Sequence, residues 1–189
     1  MQIIKELKNY KKQESPIYLA LGNFDGVHLG HQKIIQTAVE KAHANRGLSG
    51  AFIFDPHPLN VLKPSLAPRT ITDTKTKAEL LEALGLDILI YSNFTEQISL
   101  WSPRTFVQRV LVESLAVTEV FVGFNYSFGH KGQGTPEMLQ ILGKEYGFGV
   151  NITQPVKKDG EAVSSTWIRK ALDLNDVKTV CGLLGHGYY

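Results

Sequence analysis

Apolar residues along the chain alternate between short continuous runs and longer stretches with helical spacing. The short runs lie at residues 17–21, 50–54, 87–91, 119–123 and 149–153, and their length and composition favour buried strands. The stretches between them repeat apolar residues every three to four positions or are rich in good helix formers. This alternation predicts a Rossmann-like, doubly wound α/β fold, in which a five-stranded parallel sheet carries helices on both faces.

The stretch after the first run shows the clearest helical pattern. Its apolar residues occupy positions 34, 35, 38, 39 and 42, which predicts one buried face of a helix that begins near Gly30. His28 and His31 flank this start, and their spacing places both imidazoles on the side that packs on the sheet. Because a helix N-terminus offers unpaired N–H groups and partial positive charge, the histidine pair predicts a site for phosphate chemistry.

The loop that leads into this helix is unusually rich in glycine. Gly22, Gly26 and Gly30 lie within nine positions, whereas an ordinary connection needs only one of them. An isolated H-x-G-H string is also compatible with two plain polar residues at a helix start. The three glycines favour a ligand site over that alternative, because they allow positive φ and a close approach of backbone to ligand.

A second polar motif starts another predicted helix near the end of the chain. Ser164, Ser165 and Thr166 come directly before an amphipathic stretch, and Arg169 follows within its first turn. One hydroxyl is enough to cap a helix, so plain N-capping explains only part of this cluster. Three hydroxyls beside an arginine predict a second anion site.

The segment after the second strand contains Asp55, Pro56, His57 and Pro58. These residues could orient a hydroxyl or a metal-bound water, but Asp-Pro is also an ordinary start of a turn, and we place that structural explanation slightly ahead. Residues 56–68 predict a proline-stiffened loop that is too long to be a mere connection.

The segment after the fourth strand, residues 124–134, combines aromatic residues with a basic, glycine-rich turn. Continued strand alternation would bury Tyr126 and leave Phe124 and Phe128 elsewhere. One of these rings could then belong to the core and another could stack on a planar ligand.

Composition narrows the class of protein. The chain has 189 residues, 43% of them hydrophobic, which predicts one globular domain over residues 1–189. The net charge of +2, from 20 basic and 18 acidic residues, is too small for a broad nucleic-acid footprint, so no nucleic-acid partner is expected. No run has the length of a membrane span or a signal peptide, so a soluble protein without a membrane partner is expected.

The metal-binding and thiol chemistry suggested by the sequence is limited. Cys181 is the only cysteine, which excludes an intrachain disulfide and a cysteine-rich zinc site and fits a reducing cytoplasm. His43 and His186 have no companions at metal-ligand spacing. We therefore expect no protein-built metal site and a cytoplasmic location.

Together these motifs resemble the adenylyltransferase module of bacterial FAD synthetases, the bifunctional riboflavin kinase/FMN adenylyltransferases. The resemblance rests on four ordered blocks, at residues 22–31, 54–58, 122–129 and 164–169. The first and last match the H-x-G-H and S-S-T-x-I-R signatures of a wider nucleotidyltransferase superfamily, and the middle two indicate its flavin branch. The resemblance implies transfer of AMP from ATP to FMN in the presence of Mg²⁺, with FMN as substrate and FAD and pyrophosphate as products.

The resemblance also implies roles for individual residues. The catalytic residues would be His28, His31 and Arg169, which stabilise charge on the α-phosphate and on the leaving pyrophosphate. The implied FMN-binding residues are Pro56, Pro58, Asn125 and Phe128. The implied ATP-binding residues are Gly22, Asn23, Phe24, Asp25, Gly26, Gly30, Ser164, Ser165 and Thr166.

The chain departs from the family pattern in two ways. Asn125 and Ser127 stand where an acid and a base are common, and Trp167 where arginine is frequent, which predicts an altered flavin affinity. The kinase module of the bifunctional proteins is expected to be absent: either the molecule was cut at the junction, or it works alone on FMN that a separate riboflavin kinase supplies. Two alternatives stay open: a nucleotidyltransferase with another phosphorylated acceptor, and a flavin-binding protein without turnover.

Overall fold

A parallel sheet of six strands forms the centre of the computed structural model, which describes residues 1–188. The strands are β1 (Gln2–Ile4), β2 (Ile17–Leu21), β3 (Leu48–Phe54), β4 (Ile88–Ser92), β5 (Glu119–Gly123) and β6 (Gly149–Thr153). Their order across the sheet is β1-β4-β3-β2-β5-β6, and every neighbouring pair is parallel. The strand order therefore reverses beside β2, where doubly wound sheets open a crevice at the carboxyl ends of the strands.

The predicted doubly wound fold is confirmed, but the strand count of five is wrong by one. The missed strand is β1, which pairs with β4 at the edge of the sheet. Only Ile4 of its three residues is buried, so the strand is too short and too exposed to show a hydrophobic period.

Helices cover both faces of the sheet. The helices are α1 (Leu29–Ala44), α2 (Pro58–Leu62), α3 (Thr74–Ala83), α4 (Glu96–Ser99), α5 (Pro103–Phe106), α6 (Pro136–Tyr146), α7 (Ser165–Asp173) and α8 (Val177–Leu184), with a π-helical segment at Val107–Ser114 and 3₁₀ turns at Leu7–Asn9, Pro64–Leu66 and His130–Gly132. One core cluster joins α1 and α3 to one face, and another joins the π-helical segment and α6 to the opposite face. All five apolar positions that predict the inner face of α1 are buried.

The proline-rich segment at residues 56–68 is more ordered than a plain loop. It contains α2, which has Pro58 in its first turn, where a missing N–H costs nothing. The Nδ1 atom of His57 accepts a hydrogen bond from the N–H of Leu59 at 3.1 Å and caps this helix. The predicted proline-stiffened loop is therefore corrected to a short capped helix followed by a 3₁₀ turn.

The chain ends in a small cap over the carboxyl edge of the sheet. Strands β7 (Lys157–Lys158) and β8 (Glu161–Ala162) form a hairpin whose turn lies at Asp159 and Gly160. Helices α7 and α8 then pack together in a separate apolar cluster. None of the helices in residues 1–188 is long and apolar enough to cross a membrane.

Candidate active site

The histidine pair lies at the first turn of α1, directly after the loop that leaves β2. His28 is the N-cap residue, and its Nδ1 atom accepts a hydrogen bond from the backbone N–H of His31 at 3.3 Å. The two imidazoles stack with ring centroids 3.6 Å apart and planes 17° from parallel. The ring of Phe24 packs edge-on against His31. Helix geometry and aromatic packing therefore hold both imidazoles in one orientation.

Glycine is required at two positions of this loop for different structural reasons. A Cβ atom at Gly30 would lie 3.1 Å from Cε1 of His28, so Gly30 makes room for the stacked ring. Gly26 has a φ of +81°, a conformation that favours glycine. Positive φ extends to the non-glycine residues Phe24 and Val27 as well. Both side chains are fully buried, so core packing holds this strained backbone in place.

Burial keeps both imidazoles neutral at neutral pH. It lowers the pKa of His28 to about 4. It also lowers the pKa of His31 well below the ordinary value, and the charge of Lys77, or of His28 once protonated, adds to this effect. Since Nδ1 of His28 accepts a hydrogen bond, its neutral ring carries the proton on Nε2, which is left to donate. The Nδ1 atom of His31 is buried without a hydrogen-bond partner among residues 1–188.

The lowered pKa of His28 predicts a pH-dependent stability. Above the ordinary pKa of 6.5 neither state binds a proton at this ring, but between 6.5 and about 4 the unfolded chain binds more protons than the folded one. We expect the free energy of unfolding, measured in urea, to fall as the pH is lowered through this window. His28→Asn keeps an N-cap residue and removes the titrating ring, so its decline should be smaller. An equal decline in both proteins would contradict the assignment to His28.

The histidine pair opens into a cavity of about 270 Å³, here called the histidine cavity, at the carboxyl ends of β2, β5 and β6. The start of α7 forms its opposite wall. There the hydroxyl of Ser164 accepts a hydrogen bond from the N–H of Trp167 at 3.3 Å, and the hydroxyl of Ser165 donates to the backbone carbonyl of Asp25 at 3.1 Å. Two helix N-termini therefore converge on one cavity, an arrangement that favours an anionic ligand.

A second cavity of about 860 Å³, here called the aromatic cavity, lies beside the first. Its wall is largely apolar and includes Phe52, Phe54, Phe94, Phe106 and Phe128. Gly22 and Tyr126 line both cavities. The two cavities therefore share a boundary at the end of β2.

The structure brings most of the residues predicted from sequence into these two cavities. The histidine cavity is lined by Gly22, Phe24, His28, Gly30, His31, Asn125, Ser164, Ser165 and Thr166. The aromatic cavity is lined by Gly22, Asn23, Pro58 and Phe128. Asp25, Gly26 and Arg169 lie behind the wall of the histidine cavity, and Pro56 is exposed in the loop after β3.

Asp25 and Arg169 form a network that holds a loop against α7. The Nη2 atom of Arg169 donates to Oδ2 of Asp25 at 2.6 Å, and its Nε atom donates to the carbonyl oxygen of Arg69 at 2.8 Å. The carboxylate of Asp25 also accepts hydrogen bonds from the backbone N–H groups of Ile71 and Thr72. In this arrangement both side chains bind protein groups, and their roles toward ATP stay predictions.

The expected burial of the aromatic side chains after β5 needs correction. Phe128 is 6% exposed, whereas Tyr126 is only partly buried. Strand alternation does not apply here because β5 ends at Gly123, and a bridge between Phe128 and Gly134 turns the chain back on itself. Phe128 and Tyr126 stack with ring centroids 5.7 Å apart, so both face the aromatic cavity.

Sequence reasoning missed several wall residues. Thr153, at the end of β6, lines the histidine cavity, and its hydroxyl is buried without a partner among residues 1–188. Its place at the carboxyl end of a strand was the only available signal. Phe94 and Phe106 both lie in the connection between β4 and β5, and nothing in their local sequence distinguishes them from ordinary core residues.

The reversal of strand order beside β2 and the histidine pair at a helix start define a doubly wound α/β protein with the H-x-G-H signature. Comparison with known proteins places the chain more narrowly. A family model for FAD synthetase matches residues 10–167, and the chain belongs to this family. The resemblance stated from the sequence is thereby confirmed.

Curated relatives carry the name bifunctional riboflavin kinase/FMN adenylyltransferase. The protein of Buchnera aphidicola from Schizaphis graminum is 32% identical over the whole chain, which covers 61% of that relative. The Escherichia coli K12 protein is 31% identical over the whole chain and is covered to 60%. The Bacillus subtilis protein is 34% identical over 95% of this chain, with 56% of its own length covered. The chain thus spans about three fifths of these relatives.

A solved structure supports the same architecture. The crystal structure of a macrolide-efflux protein from Streptococcus pneumoniae superposes with a TM-score of 0.85 and is 26% identical. The match covers 98% of this chain and 70% of that one. The likeness confirms the α/β fold over almost the entire chain.

Proposed function

We propose that residues 1–189 form an FMN adenylyltransferase domain, which transfers AMP from ATP to the phosphate of FMN. The observation that carries this proposal is the shared boundary of the two cavities at Gly22 and Tyr126. The histidine cavity has two helix N-termini and neutral imidazoles, which suit a nucleoside triphosphate. The aromatic cavity has an apolar aromatic wall, which suits a flavin ring. With ATP in the histidine cavity and FMN in the aromatic cavity, the phosphates of both molecules would meet at the common boundary.

ATP in the histidine cavity would contact protein groups along its phosphates. An oxygen of the FMN phosphate attacks the α-phosphorus, the bond from that phosphorus to the bridging oxygen of the β-phosphate breaks, and pyrophosphate leaves with the electron pair. His28 donates from Nε2 to an oxygen of the α-phosphate, and His31 stacks beside it in reach of the same group. The hydroxyl of Ser164, which accepts from Trp167 and keeps its own proton free, and the hydroxyl of Thr166 donate to the outgoing phosphates. Because these groups are fixed before ATP arrives, they stabilise the transition state without reorganising.

FMN in the aromatic cavity would place its isoalloxazine against Phe128 and Pro58, with its phosphate toward Asn23. Flat aromatic and proline surfaces suit a planar ring system, and Asn125 lies at the side of the histidine cavity, where it can donate to a phosphate or a ribityl hydroxyl. Pro56 holds the loop that carries Pro58. A riboflavin kinase would supply the FMN, and both reactions would take place in the cytoplasm. The reaction requires no nucleic-acid or membrane partner.

Magnesium fits this site as the counter-ion of ATP rather than as a resident ion. Within residues 1–188, no group of three or more histidine, cysteine or acidic side chains could hold a metal. The histidine cavity offers hydroxyls, imidazoles and amide groups, whereas Mg²⁺ in nucleotide sites is coordinated mainly by phosphate oxygens and water. Bound in that way, the ion neutralises phosphate charge.

The proposal is tested by incubating the purified chain with ATP, Mg²⁺ and either FMN or riboflavin, and separating the flavin products by chromatography. We expect FAD from FMN and none from riboflavin. In Ser127→Trp, an indole at the exposed mouth of the aromatic cavity should raise the KM for FMN by about tenfold, equivalent to about 1.4 kcal/mol, and leave the KM for ATP unchanged. Ser15→Trp, an equally exposed change before the amino end of β2, is the matched control.

The other outcomes separate the remaining functions. AMP transfer to a different phosphorylated acceptor but not to FMN would retain the nucleotidyltransferase class and contradict the flavin. Binding of FMN or FAD without pyrophosphate release would identify a flavin-binding protein without turnover. An unchanged KM for FMN in Ser127→Trp would exclude the aromatic cavity as the flavin site.

A further inference from the structure

Lys77 lies close to the histidine pair but had no role in the sequence-based predictions. It is on α3, one turn before the buried residue Leu81, and therefore on the helix face that packs on the sheet. Since α3 connects the parallel strands β3 and β4, it runs back along the sheet and begins at the carboxyl edge. The first turns of α3 thus direct Lys77 to the edge where the histidine pair lies.

Lys77 is half-buried, and its ammonium group has no ion-pair partner within 4 Å among residues 1–188. The charges of Asp25 and Asp55 reach it, and its own charge reaches His31 and His57. Burial lowers the pKa of Lys77 from its ordinary value, and the two carboxylates oppose that shift. Asp25 is already bound to Arg169 and to two backbone N–H groups, so Lys77 is available to another anion.

Two orphaned polar atoms lie in the same region. In the described part of the chain, Nδ1 of His31 and the hydroxyl of Tyr91 are both buried without a hydrogen-bond partner. Tyr91 is at the end of β4, and Asp55 acts on its pKa as it does on that of Lys77. Buried polar groups without partners are uncommon in native proteins and call for an explanation such as a missing ligand.

The order of the strands indicates which part of a nucleotide would reach Lys77. The histidine cavity extends over the ends of β6 and β5, where residues 153–156 and Phe124 form its far wall, to the histidine pair beyond β2. The next strands across the sheet are β3 and β4, and Lys77 stands over these. A nucleotide with its base over β5 and β6 and its α-phosphate at the histidine pair would therefore extend its terminal phosphates toward Lys77.

We propose that Lys77 binds the terminal phosphates of the nucleotide and the pyrophosphate that leaves, which adds a positioning and charge-stabilising residue to the site. The inference rests on the proposed function only in that it requires a nucleoside triphosphate in the histidine cavity; it does not depend on the acceptor. Lysine suits this task because its ammonium is a compact charge on a flexible stem that can follow the phosphates as they depart. A competing explanation is that Lys77 merely offsets the charges of Asp25 and Asp55.

Ligand binding without FMN separates these explanations. The dissociation constants of ATP, AMP and inorganic pyrophosphate are measured by calorimetry for the full chain and for Lys77→Met. We expect the values for ATP and pyrophosphate to rise by about 10- to 100-fold, the usual effect of losing one charge-assisted hydrogen bond, and the value for AMP to stay within about twofold. Lys77→Arg should recover part of the loss.

The matched control is Lys75→Met, which removes the same charge from the same helix. Lys75 is exposed and pairs with Glu79 at 3.8 Å, so its loss should change none of the three dissociation constants. Unchanged ATP and pyrophosphate binding in Lys77→Met would overturn the inference, even if that variant unfolds at a lower temperature. A wild-type chain that binds ATP but makes no FAD would overturn the proposed acceptor alone, and one that binds neither ATP nor pyrophosphate would overturn the role of Lys77.

Discussion

Replacing His31 with alanine is expected to lower kcat for adenylyl transfer by about 10²- to 10³-fold, the usual cost of removing one preorganised donor at a developing negative charge. His31 stacks on His28 at a centroid distance of 3.6 Å, and its ring is fixed from the other side by Phe24. The substitution removes both the hydrogen-bonding group and the surface that orients the His28 ring. Initial rates of pyrophosphate release at saturating ATP and FMN measure the effect.

Two further measurements assign this loss to chemistry rather than to folding. The backbone N–H of His31 still reaches Nδ1 of His28 in the variant, so the cap of α1 persists and the unfolding midpoint should change little. His31→Gln, which restores a side-chain donor, should regain part of kcat. A kcat within about threefold of wild type in His31→Ala would contradict a catalytic role for the ring, because that change corresponds to less than 1 kcal/mol.

The parts of the fold that depend on local pattern could be predicted from the sequence. The inner face of α1 and its start near Gly30 followed from helical spacing. Strands β2 to β6 followed from their apolar runs, because helices cover both faces of the sheet. Strand β1 could not be found in this way, since its pairing with β4 depends on residues more than 80 positions away.

The two cavities of the candidate site also differ in how far the sequence could predict them. The histidine cavity was predictable because its main groups come from two helix starts, each with a local signature in the sequence. The aromatic cavity was not, because its walls come from connections that the sheet brings together. The ring of Phe54 packs edge to face on Phe94, with centroids 5.1 Å apart, and at a tilt on Phe106, with centroids 6.0 Å apart. Contacts between rings so distant along the chain leave no periodic signal.

Asp25 belongs to a predicted binding motif, but in the structure its carboxylate binds protein groups behind the wall of the histidine cavity. It lies between the end of β2 and His28 in the sequence, and the family resemblance implied that it contacts ATP. The structure instead directs its carboxylate to Arg169 and to the loop at residues 69–72. The hydroxyl of Ser165 donates to the backbone carbonyl of the same residue. One buried acid therefore ties the first motif to the last.

Asp25→Asn is accordingly expected to lower the free energy of unfolding by about 3 kcal/mol, in the range observed when one partner of a buried ion pair is removed. The side chains of Asp25 and Arg169 are 12% and 22% exposed, so water can replace little of the lost interaction. The midpoint and slope of urea unfolding at pH 7 measure the change, and Asp159→Asn, an exposed acid in the β7–β8 turn, should stay within about 0.5 kcal/mol of wild type.

The same substitution also tests whether this network positions the site. With the pair broken, Arg169 loses its anchor, and the start of α7 can move relative to the histidine pair. We expect the KM for ATP to rise while FAD remains the product, because the imidazoles themselves are untouched. A variant that loses less than about 1 kcal/mol of stability and keeps the wild-type KM for ATP would show that Asp25 neither holds the loop nor aligns α7, and would return Arg169 to consideration as a direct phosphate ligand.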